Sequence, residues 1–170
     1  MKRRAYIGLG ANQGDTAATL TAAVESLRSV ERTGFVAVSN FYRTAPIDAP
    51  GPDFLNAVAR VDTELEPYSL LLHLLDIEMM LGRKRRPAGS QKNSPRKVDL
   101  DLLLVGDLIV RSTPLTLPHP RLHERAFVLR PLLDLDPQLQ LPGLGPAVDL
   151  LARITDQRIE PAESPSAKPQ

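Results

Sequence analysis

Residues 98–104 read VDLDLLL, an apolar run in which two carboxylates occupy alternate positions. In a β-strand the valine and leucines at even positions would face one side, and Asp99 and Asp101 would face the other. A step of two residues along a strand keeps both side chains on one face, with the backbones roughly 6.5–7 Å apart. The stretch therefore predicts a strand that carries a pair of carboxylates on one face of a sheet.

The chain before this strand alternates between extended and helical patterns. Apolar residues recur at helical spacing in 16–31 and again in 67–82, where Pro67 suits the first turn and Gly82 the end. Strand patterns occupy 6–10, 35–41 and 54–63, and the prolines of 44–52 indicate a loop. The order strand, helix, strand, strand, helix, strand predicts an α+β fold of the split βαβ type, with two helices on one face of an antiparallel sheet.

The rest of the chain gives weaker patterns. Residues 114–123 are irregular, and 125–135 predict a short helix. We expect one domain over 1–160 and a disordered tail over 161–170, where three prolines occur and no core residue is larger than alanine. The 170 residues include no cysteine and no apolar run of ~18 residues, a composition that fits a cytoplasmic protein without a membrane span.

A basic segment runs directly into the acidic strand. Residues 83–97 contain seven Lys or Arg and no Asp or Glu, although the whole chain has a net charge of only +1. Two carboxylates on one face repel each other unless a cation lies between them, and Mg²⁺ completes such a site with phosphate oxygens and water. Arginines can grip those phosphates. Each feature alone is more typical of a solvated surface, but together they predict magnesium-dependent phosphoryl chemistry.

Three further features have both a structural and a functional interpretation. His119 lies between two prolines, which would help to aim its side chain at a ligand. Asn56 is a polar member of the strand at 54–63, and its amide could read the edge of a heterocycle or simply face water. Gly8 and Gly10 are too few for a phosphate cradle and predict close packing or a tight turn. The P-loop, protein-kinase and Rossmann patterns are absent from the sequence.

Taken together, six segments resemble the 6-hydroxymethyl-7,8-dihydropterin pyrophosphokinase family in order and in spacing. The resemblance extends over about residues 5–155, and it implies a ferredoxin-like α+β fold with its active site in a groove. It also implies transfer of pyrophosphate from ATP to the hydroxymethyl group of the pterin, in folate biosynthesis. The segments are 8–12 (GLGAN), 41–44 (FYRT), 54–57 (FLNA), 82–83 (GR), 95–101 (PRKVDLD) and 118–127 (PHPRLHERAF).

The resemblance also implies roles for individual residues. Asp99 and Asp101 would bind two magnesium ions and would act as catalytic residues together with Arg83 and Arg96. The expected partners are ATP and the pterin, with no nucleic acid and no membrane, and the expected state is a monomer. The residues expected to bind ATP are Glu78, Arg85, Lys92, Arg96, His119 and Arg125. Those expected to bind the pterin are Thr44, Pro46, Ile47, Phe54, Asn56 and Phe127.

The sequence departs from the family pattern in the basic segment. The family usually has a tryptophan just before the Pro-Arg pair, whereas here Asn93 and Ser94 precede Pro95, and the segment is a few residues longer than usual. We expect looser closure of this segment over the pterin, with lower affinity or rate rather than loss of activity.

Three other functions remain open at this stage. A non-catalytic relative that binds pterin or nucleotide is disfavoured because all the expected charged residues are present. An RNA-binding domain of the same fold would stack bases on sheet aromatics, but the chain is only 4% aromatic and carries two carboxylates on the sheet. A generic magnesium nucleotidyltransferase would share the Asp99–Asp101 pair but would not explain the segment 119–127.

Overall fold

The structure is a computed structural model that describes residues 1–47, 50–82 and 98–163. Its helices are α1 (Thr16–Arg28), α2 (Pro67–Met80), α3 (Ala126–Leu135) and α4 (Ala147–Ala152), with a 3₁₀ turn at Leu122–Glu124. Its strands are β1 (Arg3–Ala11), β2 (Thr33–Val38), β3 (Phe41–Thr44), β4 (Phe54–Thr63), β5 (Asp99–Val105), β6 (Val110–Arg111), β7 (Thr116–Leu117), β8 (Gln140–Leu141), β9 (Gly145–Pro146) and β10 (Ile159–Ala162).

The main sheet has the order β10-β3-β4-β1-β5, and every pairing in it is antiparallel. Strand β2 pairs with the second half of β4, and the short strands form two separate hairpins, β6–β7 and β8–β9. With β1 in the centre between β4 and β5, the arrangement is the split βαβ topology of ferredoxin-like folds, as predicted.

The first hydrophobic core lies between one face of this sheet and the helices α1 and α2. Leu20, Leu27, Leu70 and Leu74 are fully buried there against β1, β4 and β5. Burial of this apolar surface is the main force holding the two helices on the sheet. The prediction of two helices on one face is confirmed.

A second core covers part of the opposite face. Helices α3 and α4 contribute Leu129, Leu132 and Ala147, which pack with Val58 and with the end of β5. The sequence predicted a short helix at 125–135 but not this second helical layer. Asp99, Gly10 and Asn56 are not among the residues of this second core.

The regular alternation of 98–104 breaks at Leu103. Ile7 pairs with Leu102 and Tyr6 pairs with Leu104, so Leu103 is an extra residue in β5. This bulge reverses the faces: Leu100 and Leu102 lie in the first core, whereas Leu103 and Leu104 both lie in the second. The expectation that Leu104 shares a face with Leu102 was therefore wrong.

Two other expectations are corrected by the strand bounds. The single strand expected at 35–41 is divided at Ser39, whose backbone N–H donates to Val58 O and whose hydroxyl accepts from Val58 N, at 2.8 and 2.9 Å. The disordered tail was expected from residue 161, but Pro161 and Ala162 belong to β10, which pairs with β3. Proline is tolerated in this strand because β10 is at the edge of the sheet.

Residues 164–170 lie outside the described part of the chain. Among the residues that the structure describes, no helix is both long enough and apolar enough to cross a bilayer.

Candidate active site

Asp99 and Asp101 lie on the face of β5 that is turned away from α1 and α2. Asp99 is half-buried and Asp101 is exposed, while Leu100 between them is buried in the first core. The predicted placement of both carboxylates on one face of the sheet is confirmed. They form the acidic side of the site.

Gly10 separates this acidic side from Asn56. It pairs with Asp99 on one side and with Asn56 on the other. Directly opposed residues of an antiparallel sheet point to the same face, so Asp99, Gly10 and Asn56 form one row, with about 10 Å between the outer two backbones. Gly10 places no side chain at the centre of this row, and the oxygen of the Asn56 amide lies over it.

Asn56 is held in a fixed position on the other side of the row. Only 6% of the residue is exposed, and its Nδ2 donates a hydrogen bond of 2.6 Å to Thr44 Oγ1. Thr44 is buried and pairs with Phe54, which is half-buried. The strands β3 and β4 thus bring together three of the residues that the resemblance assigns to the pterin. Of the others, Pro46 is half-buried and Ile47 is 40% exposed, just beyond β3.

The segment around His119 runs along the outer edge of β5. It follows a cis Leu117–Pro118 peptide bond, and the His119 N–H donates to Leu103 O at 2.9 Å. Burial lowers the pKa of His119; the Asp101 carboxylate opposes this change, and the Arg125 and Arg121 cations add to it. The Arg121 N–H donates to His119 Nδ1 at 3.4 Å, so in the neutral ring Nε2 carries the proton. His119 therefore presents a neutral N–H donor near the acidic pair.

Arg125 reaches the same place from the start of α3. Burial lowers the pKa of its guanidinium, and the carboxylates of Asp101 and Asp99 act in the opposite direction. An arginine remains cationic even so. Its guanidinium carbon also lies 5.5 Å from the centre of the Phe127 ring. His119 and Arg125, both expected on the ATP side, thus lie near the acidic pair, and Phe127, expected on the pterin side, lies next to Arg125.

Glu78 contacts β5 from α2, on the face of the sheet that carries the first core. It is buried in the last turn of α2, and its Oε1 accepts a hydrogen bond of 2.8 Å from Leu100 N. Among the described strands, β5 is at the edge of the sheet, and the side chain of Glu78 satisfies this N–H. Glu78 therefore holds the strand at the point between Asp99 and Asp101, while its assignment to the nucleotide remains a prediction.

Gln157 is a residue of the site that the sequence did not indicate. Its Oε1 accepts from Ala126 N at 2.9 Å, and its Nε2 donates to Glu124 O at 2.7 Å. These two backbone groups flank Arg125, so one side-chain amide fixes the backbone on both sides of the arginine. Gln157 is more than 30 residues away along the chain, and no local pattern could have predicted the contact.

Asn12 is a second residue without a predicted role, although it belongs to the motif at 8–12. Its Oδ1 is buried and has no hydrogen-bond partner among the described parts of the chain. Buried acceptors are seldom left unpaired in native proteins. Since Asn12 directly follows β1, two residues after Gly10, this oxygen is an acceptor available close to the row of the site.

The basic segment, 83–97, carries four of the residues to which the resemblance assigns a role. Arg83, Arg85, Lys92 and Arg96 lie outside the described residues, as do Asn93 and Ser94. Their roles remain predictions.

The donor set of the site fits magnesium better than a metal held by protein alone. Within 1–47, 50–82 and 98–163, no group of three or more His, Cys, Asp or Glu residues could hold a metal ion. Asp99 and Asp101 have hard carboxylate oxygens and lie on one face of the sheet, paired with Gly10 and Gly8. Mg²⁺ is typically bound by one or two carboxylates, with substrate phosphates and water completing its shell.

Comparison with known proteins identifies similar sequences over almost the whole chain. The model of the 7,8-dihydro-6-hydroxymethylpterin-pyrophosphokinase (HPPK) family matches residues 6–137. A 2-amino-4-hydroxy-6-hydroxymethyldihydropteridine pyrophosphokinase from Methylorubrum extorquens is 42% identical over 161 residues, covering 94% of this chain and 99% of its own length. The protein of the same name from Haemophilus influenzae is 36% identical, with coverages of 91% and 95%.

Longer proteins also contain a similar region. Folic acid synthesis protein fol1 of Schizosaccharomyces pombe is 38% identical over 157 residues, which is 92% of this chain and 21% of that protein. The solved wild-type HPPK-DHPS of Plasmodium falciparum matches with a TM-score of 0.69 at 15% identity, over 90% of this chain and 45% of the solved one. That structural likeness supports the fold alone. On the family model and the full-length relatives, the chain belongs to the 7,8-dihydro-6-hydroxymethylpterin-pyrophosphokinase family.

Proposed function

We infer that this chain transfers a pyrophosphoryl group from ATP to the hydroxymethyl group of 6-hydroxymethyl-7,8-dihydropterin, a reaction of folate biosynthesis. One observation carries the inference. In a member of this family, the carboxylates of Asp101 and Asp99 interact with the cationic side chain of Arg125, and Asp99 shares one row of the sheet with the fixed amide of Asn56. A phosphate chain and a heterocycle need those two surroundings side by side.

The reaction joins the hydroxyl oxygen of the pterin to the β-phosphorus of ATP. The bond from that phosphorus to the oxygen bridging to the α-phosphorus breaks, AMP leaves with the electron pair, and the hydroxyl proton is lost. No covalent intermediate with the protein is needed. Most of the acceleration therefore comes from holding the two substrates in line and from stabilising charge.

Asp99 and Asp101 are the residues that would hold Mg²⁺, and we propose two ions. When bound, the ions neutralise phosphate oxygens and lower the proton affinity of the attacking hydroxyl. Glu78 contributes indirectly, because its bond to Leu100 N keeps the strand between the two aspartates in place.

The phosphate side of the site is assigned to the cations and to one neutral donor. Arg125 supplies a fixed guanidinium, and His119 Nε2 supplies an N–H; both would bond phosphate oxygens as charge moves onto the leaving group. We assign the four residues of the basic segment to the same triphosphate: Arg83, Arg85, Lys92 and Arg96.

The pterin side is assigned to the end of β3 and the start of β4. The amide of Asn56 would read the polar edge of the ring, and Phe127 would cover its face. Thr44, Pro46, Ile47 and Phe54 complete this pocket in the proposal. We further propose that the enzyme acts in the cytoplasm as a monomer.

The decisive experiment identifies the nucleotide product. Purified protein is incubated with Mg²⁺, ATP and 6-hydroxymethyl-7,8-dihydropterin, and the nucleotides are separated by chromatography. AMP in equal amount to the phosphorylated pterin is the expected result. ADP would indicate transfer of a single phosphoryl group and would overturn the assignment, and binding without turnover would indicate a non-catalytic relative.

The acidic pair gives the first prediction for variants. Asp99→Ala and Asp101→Ala should each lower kcat by at least about a hundredfold, because the remaining carboxylate cannot hold the ions that neutralise the phosphates. The measurement is steady-state AMP formation at increasing Mg²⁺.

Asp107→Ala is the matched control, because Asp107 is exposed in the turn directly after the same strand. It should keep the parent rate. Near-parent rates for both site variants at saturating Mg²⁺ would refute the proposed role of the pair.

A further inference from the structure

Gly10 lies between Asp99 and Asn56 in the row across the sheet. A side chain at this position would contact Asn56, the residue proposed to bind the polar edge of the pterin. A β-carbon built on Gly10 would lie 2.9 Å from Asn56 Oδ1, whereas unstrained contacts begin at about 3.5 Å. The oxygen would therefore have to move by roughly half an ångström. A β-carbon built on any of seven other described glycines has no neighbour so close; these are Gly8, Gly14, Gly34, Gly51, Gly106, Gly143 and Gly145.

Asn56 has little freedom to make that movement. Its other amide atom, Nδ2, is bonded to Thr44 Oγ1 at 2.6 Å, and both residues are more than nine-tenths buried. Turning the amide away from a new methyl group would stretch or break this bond. The two contacts together leave one orientation for the amide, with its oxygen directed at the bare backbone of β1.

The backbone itself does not require glycine at this position. Gly10 is not among the glycines with positive φ, and it lies within the regular pairing of β1 with both β4 and β5. Alanine can adopt such a strand conformation, and replacing glycine there even reduces the entropy of the unfolded chain. The requirement is for space above the residue and not for an unusual conformation.

We propose that Gly10 is a positioning residue for the pterin, acting through Asn56. By leaving room for Oδ1, it keeps that oxygen available as an acceptor, so that the site selects a heterocycle presenting an N–H or amino donor at this point. The proposal rests on the assignment of Asn56 to the pterin pocket. Beyond that assignment, we specify that Asn56 accepts the hydrogen bond from the pterin and that Gly10 keeps the accepting oxygen in place.

The test measures two affinities in each variant by calorimetry. The probes are 6-hydroxymethylpterin, titrated in the presence of Mg²⁺ and a saturating non-hydrolysable ATP analogue, and that analogue titrated alone with Mg²⁺. Gly10→Ala should weaken pterin binding about tenfold, the value of one lost hydrogen bond. It should leave the affinity for the nucleotide analogue and the thermal midpoint close to those of the parent.

Gly8→Ala is the matched control on the same strand. A β-carbon built there would meet only the Leu103 side chain, at 3.5 Å, which is an ordinary contact. Both affinities should match those of the parent. A loss of pterin affinity in Gly8→Ala equal to that in Gly10→Ala would show that any added methyl group on β1 disturbs the site, and would overturn the proposal.

A double-mutant cycle with Asn56→Ala separates the possible failures. Gly10→Ala should have no further effect once the amide is gone, because its effect passes through Asn56. Parent-like pterin binding by Asn56→Ala would overturn the assignment of Asn56 and this proposal with it. If Asn56→Ala binds the pterin weakly but Gly10→Ala binds it like the parent, the role proposed for Gly10 is overturned while the assignment of Asn56 to the pterin stands. An equal loss of both affinities in Gly10→Ala, or an additive effect in the double variant, would also overturn it.

Discussion

Single residues set the charge balance of the site. His119 and Arg125 are both partly buried beside the acidic pair, and burial lowers the pKa of each while Asp101 raises it. The neutral imidazole and the permanent guanidinium thus differ in how they respond to pH. Only His119 can change its charge in the range where most proteins are studied.

At the scale of single residues, His119 predicts how the stability of the protein depends on pH. Because the pKa of His119 lies below its ordinary value of 6.5 in the folded protein, the unfolded chain binds the proton more tightly. The neutral ring therefore contributes stability that is complete above pH 6.5 and is lost as the pH falls through the lowered pKa.

We expect the thermal midpoint of the parent to fall more between pH 7 and pH 5 than that of His119→Gln. The measurement is differential scanning fluorimetry across this range. His123→Gln serves as the control. His123 is also a histidine, it lies four residues further along the chain, and its side chain is partly exposed. Parallel curves for the parent and His119→Gln would contradict the prediction.

At the scale of elements, the site depends on contacts that hold one element against another. Glu78 connects α2 to β5, and Tyr42 Oη donates a hydrogen bond of 2.5 Å to Asp134 Oδ2, which connects β3 to α3. Gln157 connects the C-terminal segment to the start of α3. Each contact holds an element that carries a candidate site residue against a second element of the fold.

Gln157→Ala tests this arrangement. The change removes two hydrogen bonds next to Arg125, so the free energy of unfolding should fall by about 1–3 kcal/mol. The KM for ATP should rise more than the KM for the pterin, because the arginine loses its fixed backbone. Urea denaturation and steady-state kinetics measure the two effects.

Gln138→Ala is the matched control, since Gln138 is exposed after the end of α3. It should change neither quantity. Equal changes in both KM values for Gln157→Ala would indicate a general loss of structure instead of a role in placing Arg125.

At the scale of the whole molecule, residues 159–162 belong to the main sheet. Strand β10 closes the edge of the sheet next to β3, which carries Thr44 at its end. A chain ending at Arg158 keeps Gln157 but exposes the edge of β3 and loses the packing of Ala162 against the first core. A chain ending at Glu163 keeps all of these contacts.

We expect the chain ending at Arg158 to be less stable than the parent by about 1–3 kcal/mol, since it loses several ladder hydrogen bonds. The chain ending at Glu163 should be as stable as the parent. Urea denaturation of the three proteins gives the comparison. Equal stability of all three would mean that β10 contributes nothing measurable to the fold.

Much of this fold follows from local patterns of sequence. The helical spacing of 67–82 and the alternation within 54–63 predicted α2 and β4 with nearly the observed bounds. The alternation at 98–102 placed Asp99 and Asp101 on one face of a strand. Such patterns are readable because side chains repeat every 3.6 residues in a helix and every two in a strand.

Other features depended on contacts between residues far apart in the chain. The bulge at Leu103 arises from its pairing with β1, the split at Ser39 from its bonds to Val58, and the position of Arg125 from Gln157. The sequence alone therefore predicted which residues carry the chemistry, and it determined on which kind of element Asp99, Asp101 and Asn56 lie. Only the tertiary structure determined which of them meet, because long-range packing and hydrogen bonds leave no local period to read.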